Sequence, residues 1–149
     1  MIIELKRILL VEDNPNDIEL TLEALAAHNL ANSVVVARDG EEALDYLYQR
    51  GCFATRTPGK PVVVLLDLKL PKVDGHEVLR RIRADENMKL IPVVILTSSR
   101  EEKDLVQGYR NGANAYVVKP VDFHEFLEAM KSLGVFWAVL NEAPPSAGQ

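Results

Sequence analysis

Val62-Val63-Val64-Leu65-Leu66-Asp67 is an unbroken run of five apolar residues closed by an acid. A run without polar alternation suits a strand covered on both faces, as in a parallel sheet sandwiched between helices. An aspartate at the carboxyl end of such a strand points into the crevice where open α/β sheets bind their ligands. Asp67 is therefore the first functional candidate, with a turn or helix-capping aspartate as the competing reading of that residue alone.

The segments on either side repeat the pattern. Ile8-Leu9-Leu10-Val11 reads as a second buried strand ending in Glu12-Asp13-Asn14-Pro15. Asn14 or Asn16 can cap the helix that follows, Pro15 fits its first turn, and Ile18, Leu22 and Leu25 recur at helical spacing. Ser33 to Ala37 is a further strand, and Asp39-Gly40 turns the chain into a helix carrying Ala43, Leu44, Leu47 and Tyr48. Gly51 to Pro61, rich in glycine, proline and threonine, reads as a loop, long for an α/β connection. Beyond the central strand, Pro71 and Asp74-Gly75 mark a turn, and Val78, Leu79 and Ile82 give the next helix its buried stripe. Pro92 opens the strand Val93-Val94-Ile95-Leu96, which ends at Thr97-Ser98-Ser99. Glu101 or Glu102 begins a helix through Leu105 and Tyr109, closed by Asn111-Gly112. The last strand, Ala115 to Val118, ends at Lys119-Pro120. A long final helix follows, with Phe123, Phe126, Leu127, Met130, Leu133 and Trp137 on one side.

Five strands alternating with five helices predict an α/β, doubly wound (βα)5 fold with a parallel five-stranded sheet and right-handed crossovers. The flavodoxin-like order 2-1-3-4-5 puts the first and third strands side by side at the switch point. Residues 1–140 are expected to form one domain, and residues 141–149 a disordered tail. The chain has 149 residues, a net charge of −5, and 48% hydrophobic and 26% charged residues, an ordinary globular composition. The acidic balance argues against a DNA-binding surface. Cys52 is the single cysteine, so no internal disulfide can form and a cysteine-based zinc site is excluded in practice. No apolar stretch reaches the roughly 18 residues of a membrane span, and the charged start does not suit a signal peptide. A cytoplasmic protein is expected.

In this topology the strand ends converge. Glu12 and Asp13 come from the first strand, Asp67 from the third, Thr97 from the fourth and Lys119 from the fifth. Three carboxylates at one sheet edge repel one another unless a cation is present or one is protonated. Oxygen-only ligands suit Mg²⁺, with Mn²⁺ as the alternative, and Mg²⁺ binds through one or two carboxylates plus a phosphate. Asp67 can then act as a carboxylate nucleophile and form an aspartyl phosphate. A cation and the Lys119 ammonium would neutralise charge on the phosphoryl oxygens, and the Thr97 hydroxyl could donate to one of them. Taken singly, Glu12 and Asp13 are also explained as first-turn acids, Lys119 as a solvated lysine, Thr97 as part of a capping run and Tyr116 as packing.

Leu10-Val11-Glu12-Asp13, Leu65-Leu66-Asp67 with Leu70-Pro71 and Asp74-Gly75, Val94-Ile95-Leu96-Thr97-Ser98, and Gly112-Ala113 through Tyr116-Val117-Val118-Lys119-Pro120 together resemble the receiver domains of two-component response regulators. The resemblance spans roughly residues 6 to 133. It implies that Asp67 is phosphorylated from a phosphohistidine on a sensor histidine kinase. It also implies that Asp13, Asp67 and the backbone carbonyl of Lys69 coordinate Mg²⁺, and that Glu12 holds a metal-bound water. Thr97 and Tyr116 are then the switch residues, Thr97 moving toward the phosphoryl group and Tyr116 following it inward, and the peptide bond before Pro120 is cis.

Asn14-Pro15, the enlarged loop Gly51 to Pro61, the segment from Lys72 to Val78 and Phe136-Trp137 are similar to the small single-domain regulators paired with bacterial and cyanobacterial phytochrome histidine kinases. That resemblance implies a phytochrome-type kinase as partner. Phe136 and Trp137 extend an apolar helix face, which predicts a homodimer through the C-terminal helix region; folding of Trp137 back onto its own core is the alternative. An output module is not expected, so the signal is read as leaving through protein contacts. Two rival functions use the same residues. A Mg²⁺-dependent phosphohydrolase working through an aspartyl phosphate would need a second aspartate two residues after Asp67, where Lys69 stands. A degenerate receiver serving as a scaffold would not need Glu12, Asp13, Asp67, Thr97 and Lys119 together.

Overall fold

The computed structural model describes residues 7–26, 34–97 and 112–134. Five strands form one parallel sheet: β1 (Ile8–Val11), β2 (Val34–Ala37), β3 (Val63–Asp67), β4 (Val93–Thr97) and β5 (Ala115–Val118). Their order is β2-β1-β3-β4-β5, as the alternation of strands and helices predicts. The helices described are α1 (Pro15–Ala26), α2 (Gly40–Leu47), α3 (Gly75–Ala84) and α4 (Phe123–Ser132). The helix expected from Glu101 or Glu102 to Tyr109, the residues Ser98 and Ser99, and the tail after Asn141 lie outside the described residues.

The apolar runs are continuous because β1, β2, β3 and β4 each face two cores. Ile8, Leu10, Val63, Leu65, Val94 and Leu96 pack with Ile18 and Leu25 of α1 and with Phe126 and Met130 of α4. Leu9, Val11, Val64, Leu66 and Val93 point the other way, against Ala43, Leu44 and Leu47 of α2 and Val78, Leu79 and Ile82 of α3. Every residue of β3 is buried, which an alternating strand could not tolerate. Among the described residues, no helix is long and apolar enough to cross a membrane.

Two stretches differ from their sequence reading. The loop from Gly51 contains a short 3-10 turn, Gly51–Phe53, and is organised around Arg56. Its guanidinium lies 4.1 Å over the Tyr46 ring, and it donates hydrogen bonds to the carbonyls of Tyr46, Thr57 and Gly59. These bonds give a chain of turn-forming residues a fixed path beside α2. The final helix is shorter than its apolar periodicity implies: it ends at Ser132, with Leu133 as its C-cap. Gly134 follows at φ 74°, a left-handed value that stops a helix. Phe136 and Trp137 lie outside the described residues.

The turn from β3 into α3 positions the acid. Asp74 caps α3 by accepting from the amide of His76 at 2.7 Å, and the Gly75 amide donates to the carbonyl of Leu68 at 3.0 Å. A Cβ at Gly75 would lie 2.4 Å from the carbonyl oxygen of Asp67 and 2.6 Å from Cα of Leu68. Both neighbours are backbone, so neither can swing aside. Gly75→Ala is expected to destabilise the fold by about 2 kcal/mol, because overpacking outweighs the roughly 1 kcal/mol that alanine gains in a helix. A thermal melt should show the fall as roughly 5–10 °C. An unchanged or higher melting temperature would mean that the turn relaxes freely.

Candidate functional site

Parallel register decides which side chains meet. Val11 of β1 stands opposite Leu66 of β3, so Glu12 and Asp67 leave the sheet at the same level. Asp67 lies opposite Leu96, and Thr97 opposite Val118, which brings Thr97 and Lys119 to the same edge. Positions separated by up to 107 residues along the chain thus reach one edge of the sheet.

Lys119 is its centre. Its Nζ donates to Asp17 Oδ2 at 2.9 Å, Glu12 Oε2 at 3.0 Å and Asp67 Oδ2 at 3.1 Å. The other oxygens are also held: Asp67 Oδ1 accepts from the Lys69 amide at 3.0 Å, and Glu12 Oε1 from the Asn14 amide at 3.1 Å. Glu12 is 1% exposed and Asp67 8%, whereas Asp13 lies in the open. The Lys119–Pro120 bond is cis, as the resemblance implies. Tyr116 is 37% exposed on β5, two strand positions before the edge.

The electrostatics follow from crowding. Burial, reinforced by the hydrogen bond that a protonated Glu12 carboxyl donates to Asp67 and by the Asp67 charge, pushes the Glu12 carboxyl up to about 7 against the opposing pull of Lys119 and the Asn14 amide. Burial would lower the Lys119 pKa, but its hydrogen bonds to Asp17, Glu12 and Asp67 more than offset this and raise it, so the ammonium keeps its charge. Glu12, Asp13 and Asp67 each offer a carboxylate oxygen, all within 4.8 Å of one another. That hard, oxygen-only donor set fits a divalent cation such as Mg²⁺.

The structure therefore assembles Glu12, Asp13, Asp67 and Lys119 as the sequence predicts, and brings the backbone of Thr97 to the same edge. Lys69 enters through its amide bond to Asp67. Asp17 was missed by sequence reasoning. It sits in the first turn of α1, where an acid needs no partner beyond the helix dipole. Only the reach of Lys119 across the crevice reveals its role.

A flavodoxin-like sheet whose first and third strands end in acids and whose fifth ends in a lysine defines a phosphoacceptor module of signalling proteins. The chain belongs to the response regulator receiver domain family, whose model matches residues 8–131. Its place is accordingly that of a phosphoacceptor in two-component signalling, a family whose partners are histidine kinases. The bacteriophytochrome response regulator AtBRR is 63% identical over 94% of this chain and 100% of its own, with a TM-score of 0.84. The phosphorylated cyanobacterial phytochrome response regulator RcpA is 41% identical over 96% of this chain and 100% of its own, with a TM-score of 0.73. Response regulator Rcp1 of Synechocystis sp. is 36% identical over 89% of this chain and 88% of its own length. The Mn²⁺-bound structure of Rcp1 covers 95% of this chain and 99% of its own, with a TM-score of 0.71.

Proposed function

We propose that Asp67 is the residue that takes the phosphoryl group, in a reaction the chain catalyses on itself rather than on an external substrate. The observation that carries this is the Lys119 ammonium held 3.1 Å from Asp67 Oδ2 while Glu12 and Asp13 crowd the same edge. An Asp67 carboxylate oxygen attacks the phosphorus, an O–P bond forms, and the bond to the donor's nitrogen or oxygen breaks with its electron pair leaving on the donor. The Asp67 carboxyl is aimed by the Lys69 amide, and Lys119 offsets charge on the phosphoryl oxygens. Glu12, Asp13 and Asp67, with the Lys69 carbonyl, would hold Mg²⁺ or Mn²⁺, which supplies further charge neutralisation when bound. Thr97 and Tyr116 are the residues that report the modification to the surface of β5.

The names of AtBRR and RcpA support a phytochrome-type histidine kinase as donor. The cytoplasm is the proposed place of action. The apolar Phe136-Trp137 pair in the sequence supports pairing of two copies through the C-terminal helix region.

The test is incubation with acetyl phosphate, with and without Mg²⁺, followed by intact mass and peptide mapping. The expected result is a Mg²⁺-dependent gain of one phosphoryl group located on Asp67. A phosphoryl group on another residue overturns the assignment, as does no adduct combined with no binding of beryllofluoride.

A further inference from the structure

Asp17 has no part in the phosphoacceptor reading above, yet it makes the shortest of the three Lys119 contacts, 2.9 Å. Its amide is fixed by Asn14 Oδ1 at 3.1 Å, so the start of α1 is pinned while the carboxylate reaches across to the lysine. It stands outside the group of acids that fits a cation. An ammonium has three N–H donors, and Glu12, Asp17 and Asp67 take all three. A phosphoryl group on Asp67 brings new oxygens to the crevice, and Lys119 can donate to one only by giving up a carboxylate. The side chain of Glu12 is 1% exposed and that of Asp67 11%, whereas that of Asp17 is 30% exposed. Water can solvate the Asp17 carboxylate once it is released, so this contact costs least to break.

We propose that Asp17 is a positioning residue: it holds Lys119 toward α1 and competes with the incoming phosphoryl group for the third N–H of the ammonium. The inference rests on the phosphoacceptor reading of Asp67. Two effects point the same way. The Lys119–Asp17 bond must break for the lysine to turn, and the Asp17 charge repels an anion arriving on Asp67. Asp17 therefore weakens the hold of the site on phosphoryl-like groups.

The experiment titrates beryllofluoride into the protein at saturating Mg²⁺, by calorimetry, for the parent and three variants. Asp17→Asn is expected to bind about fivefold more tightly, the upper end of the scale for one partly exposed charge contact. Asp17→Glu, which restores a carboxylate on a longer stem, should return toward the parent. Glu19→Gln removes an exposed charge from the same helix without touching Lys119, and should stay within about twofold of the parent. In protein labelled with ¹⁵N-lysine, the Lys119 Nζ resonance should already be displaced in Asp17→Asn before any ligand is added, a change that a merely structural role would not produce. If the parent binds beryllofluoride and Asp17→Asn binds it equally or less tightly, the positioning role is overturned and the Asp67 reading stands. If the parent binds none, the phosphoacceptor reading fails, and this inference with it.

Discussion

Asp67→Asn is expected to accept no phosphoryl group and yet to melt at a higher temperature than the parent at pH 8. Asparagine keeps the shape of the side chain and an oxygen for the Lys69 amide, while Lys119 retains Glu12 at 3.0 Å and Asp17 at 2.9 Å. What disappears is the nucleophilic carboxylate, so intact mass should show no adduct with acetyl phosphate and Mg²⁺. The gain in stability follows from Glu12, whose carboxyl is pushed from 4.5 to about 7, first by burial and then by Asp67. A carboxyl with a higher pKa folded than unfolded favours folding only when protonated. Its contribution is fully present below about 4.5 and is lost as pH rises through about 7. The metal-free parent should therefore lose stability across that interval. Without Asp67 the Glu12 pKa moves back down and the loss shrinks, giving about 1 kcal/mol, or a few degrees, at pH 8 and little change at pH 5. A variant that melts lower than the parent at both pH values would show that the Lys119–Asp67 contact matters more than the crowding.

The fold was legible because buried parallel strands announce themselves. Val62 to Leu66 could not alternate if both its faces were covered, and both cores are present, although the strand itself begins at Val63. The site was legible for a related reason. Register ties Val11 to Leu66 and Thr97 to Val118, so acids and a lysine placed just after those residues must converge. Features that depend on one long side chain were not legible. Asp17 has a sufficient local explanation as a first-turn acid. Arg56 sits among turn-forming residues, and nothing in their order says that its guanidinium would gather three carbonyls. Arg83, in the last turn of α3, is not singled out by anything in its sequence surroundings. In the structure it donates to the carbonyls of Gly112, Lys89 and Ile91 and to Asn114 Oδ1, tying α3 to the segments that enter β4 and β5. Gly134 failed for the opposite reason: apolar periodicity carries the eye past a single glycine, whereas the backbone turns left-handed there.

Lys119→Met is expected to destabilise the protein strongly, and in a way that depends on pH and on Mg²⁺. Methionine is close to lysine in length and fills the same channel, so the loss is that of the charge. The Lys119 side chain is 10% exposed and faces three carboxylates. Removing one member of a buried ion network leaves its partners uncompensated, at about 3–5 kcal/mol. The hydrogen bond from Lys119 is one of the two influences that hold the Glu12 pKa down, so the substitution drives that carboxyl higher still. A proton on Glu12 then offsets part of the loss at pH 5, whereas at pH 8 the full effect should appear in the melting temperature. Because the acids that fit a cation remain, millimolar Mg²⁺ should restore more stability to Lys119→Met than it adds to the parent. Beryllofluoride binding should nevertheless stay weak with Mg²⁺ present, since the metal neutralises the acids but cannot replace the lysine's contact with the phosphoryl oxygens. A loss equal at pH 5 and pH 8 and unmoved by Mg²⁺ would refute this electrostatic account, leaving the packing of the lysine stem as the source of its contribution.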